Sequence, residues 1–190
     1  MLTEGNVVLR PMRPDDADLL VRWQSDPGVM TGWALPQPIL PHNAFAQDLA
    51  GRFTQFDVEG NFIIEGDGLA VGRIGFTQFD ERHRSAELLI YIGEPAEQGK
   101  GYAASAIKAM ARYLFHQRRL HRLELTTLSW NVRARRLYEG LGFQLEGTRR
   151  DYDFFNGRWS DEVEMAILAT DPVPWLKDPA GSRDDPSEGS

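Results

Sequence analysis

Cysteine is missing from this sequence of 190 residues. Its absence excludes disulfide frameworks, thiolate zinc sites, iron–sulfur clusters and a cysteine nucleophile. Long apolar runs are missing too, since no stretch approaches the ~18 consecutive apolar residues of a membrane span. Residues 1–10 show no basic region followed by an apolar block, as a secretory signal would. The sequence therefore predicts a cytoplasmic protein without membrane contact.

Two further absences concern catalysis. The four histidines have no metal-ligand spacing and no H-E-x-x-H motif occurs, so we expect no metal site. A G-x-S-x-G elbow is also absent, which together with the lack of cysteine leaves no obvious nucleophile for a covalent enzyme intermediate. Any reaction between two bound substrates would then proceed by direct transfer.

The net charge of −7 is distributed unevenly. Residues 98–150 hold 11 basic and 3 acidic residues, a net of +8, whereas the rest holds 10 basic and 25 acidic residues, a net of −15. This pattern is compatible with a local anion site on an acidic body, but charge alone favours the simpler explanation of solvated helix faces. The basic segment has little aromatic interleaving, so we expect no nucleic-acid partner.

The apolar pattern predicts an early strand and helix, then several strands, then strands alternating with helices. Apolar residues make up 42% of the chain, enough for one sizeable core. The segment 86–92 is apolar almost throughout, which is typical of a central strand covered on both faces. Strands are predicted at 7–10, 61–65, 69–79, 86–92, 123–128 and 158–168, helices at 15–25, 43–53, from 101 and from 131, and a hairpin turn at Asn156-Gly157.

A glycine-rich loop, Gln98-Gly-Lys-Gly-Tyr-Ala103, joins the predicted central strand to the next helix. Such a loop places unpaired backbone N–H groups at a helix N-terminus, where phosphate binds readily. A P-loop is excluded because Glu94 stands where its first glycine should be. The dinucleotide fingerprint is matched formally by Gly99, Gly101 and Ala104, but the later strand–helix series of a doubly wound fold is absent. From spacing alone, an ordinary strand-to-helix turn is as acceptable as an anion site.

Three motifs in order resemble the GCN5-related N-acetyltransferases (GNAT). Gln98-x-x-Gly101-x-Ala103 is similar to their Q/R-x-x-G-x-G/A signature, which cradles the pyrophosphate of acetyl-coenzyme A. Asn131-x-x-Ala134-x-x-x-Tyr138-Glu139-x-x-Gly142-Phe143 follows at the expected distance, and the segment 154–165 resembles the ribosomal-protein-alanine and spermidine acetyltransferase branch. The resemblance implies an α+β (α/β layered) fold: a central mixed, mostly antiparallel twisted sheet of six to seven strands, helices on both faces and one splayed pair of central strands. We expect one domain over residues 1–172 and a disordered tail over 173–190.

The resemblance also implies roles for particular residues. Tyr138 is expected to act as general acid toward the departing thiolate, and Glu87 to accept the proton of the amine, directly or through water. Polarisation of the acetyl carbonyl falls to backbone N–H groups at the strand end. Acetyl-CoA, the cosubstrate, is expected to contact Ile90, Tyr91, Ile92, Gln98, Gly99, Lys100, Gly101, Tyr102, Ala103, Asn131, Arg133 and Tyr138.

The acceptor is less defined than the cofactor. Trp33, Glu87 and Trp159 are candidates for its pocket. Spermidine acetyltransferases carry an acidic cluster where this chain has uncharged Ala34-Leu-Pro-Gln37, which weakens a spermidine assignment. The acceptor therefore stays open among a polyamine, a peptide N-terminus, an amino sugar and another small amine. The acidic remainder of the chain favours a cationic acceptor. A catalytically silent acyl-CoA-binding module is the alternative function. The resemblance also allows a homodimer.

Overall fold

Eight strands form one sheet within the described part of the chain, which a computed structural model provides for residues 1–30, 60–155 and 157–177. The strand order is β1-β2-β3-β4-β5-β6-β8-β7, and every pair is antiparallel except the parallel pair β5–β6. The strands are β1 (Leu2–Glu4), β2 (Val7–Pro11), β3 (Gly60–Gly66), β4 (Leu69–Asp80), β5 (Ser85–Ile92), β6 (Arg122–Leu128), β7 (Gln144–Phe155) and β8 (Arg158–Leu168). The helices are α1 (Ala17–Gln24), α2 (Pro27–Met30), α3 (Tyr102–Arg112) and α4 (Val132–Gly140).

The predicted fold class is confirmed, with one correction to the strand count. The sheet has eight strands rather than six to seven, because Leu2–Glu4 adds a short strand beside β2. Three residues are too few for a recognisable period-two pattern. Strand β7 also begins at Gln144, well before the residues that flank the hairpin turn. The helix predicted over 43–53 lies outside the described residues.

Apolar side chains cover both faces of the sheet. The larger cluster lies on the α3 face and buries Ile107 and Met110 of α3 together with Ile74 of β4 and Leu123 of β6. Alanine-rich α3 combines high helix propensity with small side chains that let the helix approach the strands closely. The smaller cluster lies on the α1 face, where Leu20 and Trp23 pack with Ile63 and Tyr91. Successive residues of β3 and β5 alternate between these clusters, as the pleat requires.

Buried ionic and polar contacts fix α1 on its face of the sheet. The Arg10 guanidinium donates to both Asp16 carboxylate oxygens at 2.7 Å and to Glu65 Oε1 at 2.7 Å, which links β2, the helix start and β3. At the other end, Trp23 Nε1 donates to Glu94 Oε1 at 2.8 Å. A Cβ on Gly93 would lie 2.2 Å from the Trp23 indole, so only glycine admits this ring at the end of β5.

Helix α4 ends in a left-handed glycine cap. Gly142 has φ +96°, Gly142 N donates to Glu139 O at 3.0 Å and Phe143 N donates to Tyr138 O at 3.0 Å. The expected start of a disordered tail at 173 is wrong, because Val173 and Leu176 are buried in the larger cluster. Polar contacts hold this segment as well: Trp175 Nε1 donates to Leu141 O at 3.1 Å. Residues 178–190 lie outside the described residues, and the single domain stays a prediction.

Candidate active site

A gap between β5 and β6 forms the centre of the site. The two strands pair with each other only at Ser85–Glu87 with Arg122–Glu124, and beyond these residues β5 and β6 form no further pairs with each other. A cavity of about 700 Å³ occupies the gap beyond that point, lined by residues of both strands, the glycine loop, α2 and α4. The predicted splay of central strands is therefore present. Backbone groups on the β6 side of β5 face this cavity instead of a neighbouring strand.

The glycine loop forms one wall of the cavity at the start of α3. Gly99 and Gly101 have φ +86° and +87°, a conformation that costs other residues about 1–2 kcal/mol. Ser105 N donates the first intrahelical bond to Gly101 O at 3.2 Å. The N–H groups of residues 102–104 therefore have no acceptor within the helix, and all three residues line the cavity. This arrangement suits a phosphate group.

Side chains of the loop and α4 connect the cavity walls. Gln98 Nε2 donates to Ile92 O at 3.3 Å, and Arg133 Nη1 donates to Gln98 Oε1 at 3.1 Å. Arg133 Nη2 lies 3.7 Å from the position that a Cβ on Gly99 would occupy, so its positive charge adjoins the loop. Lys100 points elsewhere: it does not line the cavity, and its Nζ pairs with the Glu97 carboxylate at 2.8 Å.

Tyr102 reaches the cavity through its backbone rather than its hydroxyl. The phenol donates to Asp67 Oδ2 at 2.5 Å, and its ring occupies the space that a Cβ on Gly66 would need. This hydrogen bond raises the pKa of Tyr102 to about 12. The side chain thus anchors the first turn of α3 to the turn between β3 and β4. Asn131 is the N-cap of α4, because its Oδ1 accepts from Ala134 N at 3.2 Å, and it also lines the cavity.

Tyr138 lies on α4 with its ring in the larger core cluster, 5.9 Å from the Phe143 ring. The side chain is 8% exposed and borders the cavity. Within the described part of the chain its hydroxyl makes no hydrogen bond, and burial raises its pKa to about 12. A neutral phenol in a cavity wall can donate to a developing thiolate. The raised pKa makes it a poor source of a fully transferred proton, so donation of a hydrogen bond is the stronger contribution.

The cavity reaches both faces of the sheet. Val163, Met165 and Ile167 of β8 pack in the cluster that holds Tyr138, so alternation places Glu162 on the opposite face, the α1 face. Asp153 of β7 is the neighbour of Ser160 across the β7–β8 pair and lies on the same face as Glu162. The α1-face wall also includes Tyr91 and the short helix residues Gly28 and Val29.

On the α1 face, the cavity is therefore lined by two carboxylates that the sequence did not mark, Asp153 and Glu162, while Glu97 lines it beside the glycine loop and pairs with Lys100. Glu162 is 13% exposed at its side chain and pairs with Arg149, whose Nη2 lies 2.7 Å from Glu162 Oε2. Burial raises the pKa of Glu162, while Thr126 and Arg149 oppose that shift. Alternation with buried Val163 could have assigned Glu162 to a sheet face. Its place in a cavity depends on the pairing of β8 with β6, for which no local signal exists.

The structure brings together most of the residues predicted for the cofactor. Ile90, Tyr91 and Ile92 line the cavity, as do the predicted residues of the loop and α4 apart from Lys100. Thr126, Thr127, Leu128 and Trp130 line it as well and were not predicted. The structure describes no group of three or more acidic or histidine side chains that could hold a metal ion. No helix among the described residues has the length and apolar character needed to cross a membrane.

The residues predicted for the acceptor are placed differently. Glu87 does not line the cavity: it lies where β5 and β6 are still paired, and its Oε2 accepts from Gln78 Nε2 at 2.6 Å. Trp159 is 61% exposed, lies outside the cavity and packs its ring 5.1 Å from the Phe154 ring. Trp33 lies outside the described residues. The roles of these three side chains stay predictions.

Comparison with known proteins connects this geometry to one family. Residues 6–144 match the family described as the acetyltransferase (GNAT) domain. The chain is 31% identical over 170 residues to the spermidine N(1)-acetyltransferase of Escherichia coli K12, covering 88% of this chain and 89% of that protein. It is 32% identical over 104 residues to the [ribosomal protein uS5]-alanine N-acetyltransferase of the same organism, covering 53% of this chain and 54% of that protein.

A solved structure is similar over most of the fold. The spermidine N-acetyltransferase of Vibrio cholerae, in complex with CoA and spermine, superimposes with a TM-score of 0.79 at 29% identity. The match covers 86% of this chain and 95% of that one. The similarity thus extends over most of the length of both chains.

Proposed function

Because the chain belongs to the GNAT family of acetyltransferases, we propose that it acetylates a small cationic amine, of the polyamine class, in the cavity between β5 and β6. Membership of this family makes the protein an acetyl-CoA-dependent N-acetyltransferase of amines. The observation that carries the proposed acceptor is the cavity through the sheet, with phosphate-binding backbone on the α3 face and carboxylates on the α1 face.

The residues of the α3 face fit acetyl-CoA. Two left-handed glycines leave open space above the loop, and the N–H groups at the start of α3 have no helical acceptor. Arg133 adds a positive charge beside Gly99. We assign the phosphates to this loop and the pantetheine arm to the unpaired side of β5 at residues 90–92. Asn131 and Tyr138 border the same space from α4.

Acetyl-CoA supplies the acetyl group as a thioester, whose carbonyl carbon the amine nitrogen attacks while the thiolate leaves. For this chemistry Tyr138 contributes a neutral hydroxyl, without another partner among the described residues, from the α3 face. The acceptor approaches from the α1 face, where Asp153 and Glu162 provide negative charge. Glu87 lies on that face but outside the cavity, so it could take a proton only through intervening water.

The polyamine class is favoured over a peptide N-terminus for two reasons. The spermidine acetyltransferases match this chain over nearly nine-tenths of its length, whereas the alanine acetyltransferase matches about half. The α1-face wall also has more carboxylates than a single terminal ammonium requires. Asp153 and Glu162 supply the negative charge that the uncharged segment 34–37 lacks.

Thiol release from acetyl-CoA tests the proposal directly. Purified protein is supplied with spermidine, spermine, or a short peptide beginning with alanine, and initial rates give kcat/KM for each acceptor. We expect spermidine or spermine to exceed the peptide by at least about tenfold. A preference for the peptide would reject the acceptor class. Binding of CoA without thiol release for any acceptor would identify a silent binding module instead.

A further inference from the structure

We propose that Glu162 is the carboxylate that receives a positively charged amine of the acceptor beside the β5–β6 gap, with Arg149 as its positioning residue. The inference rests on the proposed function, because it assigns a side chain to the acceptor of that reaction. It starts from the placement of Glu162 in the cavity wall on the face opposite Tyr138.

Strand pairing explains how Glu162 reaches the gap. Its partner on β6 is Leu128, and Leu128 and Thr126 both line the cavity where β6 has lost its pairing with β5. Glu162 therefore lies one strand away from the opening, with its side chain 13% exposed. A carboxylate so largely removed from water gains more from a charged partner than an exposed one does.

The charges around Glu162 are unbalanced. Arg149 is the cation beside it, and Arg149 Nε also lies 2.9 Å from Glu164 Oε1. Neither Arg149 Nε nor Glu162 Oε2 achieves hydrogen-bond geometry, although both atoms are buried. One guanidinium thus serves two glutamates, while Asp153 adds a third negative charge close enough to raise the pKa of Glu162.

An ammonium group supplies what this arrangement lacks. It brings a positive charge and up to three N–H donors to carboxylates that share a single guanidinium, beside the hydrogen bond that Thr126 gives Glu162. A polyamine carries more than one such group, so Asp153 and Glu162 can engage neighbouring nitrogens of one acceptor. Arg149 holds Glu162 against β7 through the ion pair and so keeps its carboxylate in the wall.

Glu164 provides a matched control. It lies on the same strand and the same face, contacts the same arginine and carries the same charge, but it is 44% exposed and does not line the cavity. A general loss of negative charge or of the Arg149 contact would affect both glutamates. A role in receiving the acceptor affects only Glu162.

The experiment compares Glu162→Gln, Glu162→Asp and Glu164→Gln with the wild type. For Glu162→Gln we expect the KM for spermidine to rise about 10- to 100-fold, the loss typical of a charge-assisted hydrogen bond. The KM for acetyl-CoA should stay within about twofold. Glu162→Asp should recover part of the loss, and Glu164→Gln should leave both KM values within about threefold. Thermal melts confirm that each variant is folded.

Calorimetric titration of spermidine into the CoA-loaded protein separates this inference from the proposed function. If the wild type acetylates spermidine and Glu162→Gln has an unchanged KM, the role of Glu162 is rejected and the function stands. If the wild type releases no thiol but binds spermidine, weaker binding by Glu162→Gln supports the role on its own. If the wild type does not bind spermidine, the proposed role of Glu162 is rejected.

Discussion

The two walls of the cavity differ in how they are built and in the charge they present. The α3-face wall consists of the loop 98–101 and the first turns of α3 and α4, where backbone N–H groups and Arg133 face the cavity. The α1-face wall combines side chains from α2, β5, β7 and β8, including the carboxylates of Asp153 and Glu162. One wall suits an anion and the other a cation.

The contrast reflects two ways of making a binding surface. Main-chain N–H groups at the start of a helix can hold a phosphate. The sequence then needs only suitably placed glycines within one continuous segment. An amine is selected by side chains, which are drawn from strands that meet only in the folded sheet. We therefore expect the α3-face wall to determine cofactor binding and the α1-face wall to determine the acceptor.

Removal of the Tyr138 hydroxyl gives the largest expected effect. Tyr138→Phe should lower kcat by about 100-fold or more, the range for a lost general acid or hydrogen-bond donor, because the variant has no donor for the thiolate. The KM for acetyl-CoA should change by less than about threefold. Tyr113→Phe, at a tyrosine outside the cavity, is the control. If Tyr138→Phe leaves kcat unchanged, the α3-face wall contributes to cofactor binding and not to the chemical step.

A methyl group in the glycine loop tests the anion wall. Gly101→Ala should weaken CoA binding about tenfold by calorimetry, because the added Cβ stands where the backbone must approach phosphate. Spermidine KM should remain within about twofold at saturating acetyl-CoA. Gly5→Ala is the control: Gly5 also has positive φ, at +58°, and open space, but it lies in the β1–β2 turn. If Gly101→Ala and Gly5→Ala lose equal affinity for CoA, backbone strain alone explains the effect.

The anchor of α1 gives a smaller effect, on stability. Asp16→Asn should lower the free energy of unfolding by about 1–3 kcal/mol at pH 7, since Arg10 loses a charged partner. The hydrogen bonds from Arg10 and the Arg13 N–H outweigh the cost of burial and lower the pKa of Asp16, so its ionised form stabilises the fold above pH ~4.

That stabilisation is lost as the pH falls through the lowered pKa of Asp16. Urea unfolding at pH 7, 4 and 3 should therefore show the difference between wild type and Asp16→Asn shrinking at the acidic end. Asp15→Asn, at the exposed neighbour, should change stability by less than about 0.5 kcal/mol. If the stability difference between the wild type and Asp16→Asn grows as the pH falls, the pKa of Asp16 is not lowered in the folded protein.

The smallest effect is an expected absence of change. Burial raises the pKa of Tyr138 to about 12, so its hydroxyl stays protonated throughout the usual assay range. At saturating substrates, kcat should show no alkaline fall due to Tyr138 between pH 8.5 and 10.5, after correction for spontaneous thioester hydrolysis. A fall with a midpoint below about pH 10.5 that disappears in Tyr138→Phe would contradict this account.

Individual residues show where prediction from sequence succeeded. Gly99 and Gly101 were assigned to a loop at a helix start because a strand pattern precedes them and a helix pattern follows, and both have positive φ. Leu88–Ile92 was recognised as central because its apolar run leaves no solvent face. In each case the signal lies within about ten residues of the feature that it predicts.

Other residues show where such prediction stopped. Glu87 was favoured because it begins the central strand, yet the gap opens only after it. Lys100 belongs to the motif but turns to Glu97. No local pattern predicted that Glu162 lines the cavity or that Val173 is buried. The position of Glu162 depends on the pairing of β8 with β6, and that of Val173 on packing against Gly142.

The sequence by itself predicted the class of cofactor, because three motifs in order resemble one acetyltransferase family, and the glycine loop that carries the first motif is a local structure that neighbouring residues specify. Apolar periodicity also predicted the order of the longer strands and helices that the structure describes, although it missed β1 and α2. Only the tertiary structure decided where β5 and β6 separate, which side chains border the gap and on which face each charge lies. Those features arise from contacts between residues far apart in the chain, whose geometry no local pattern encodes.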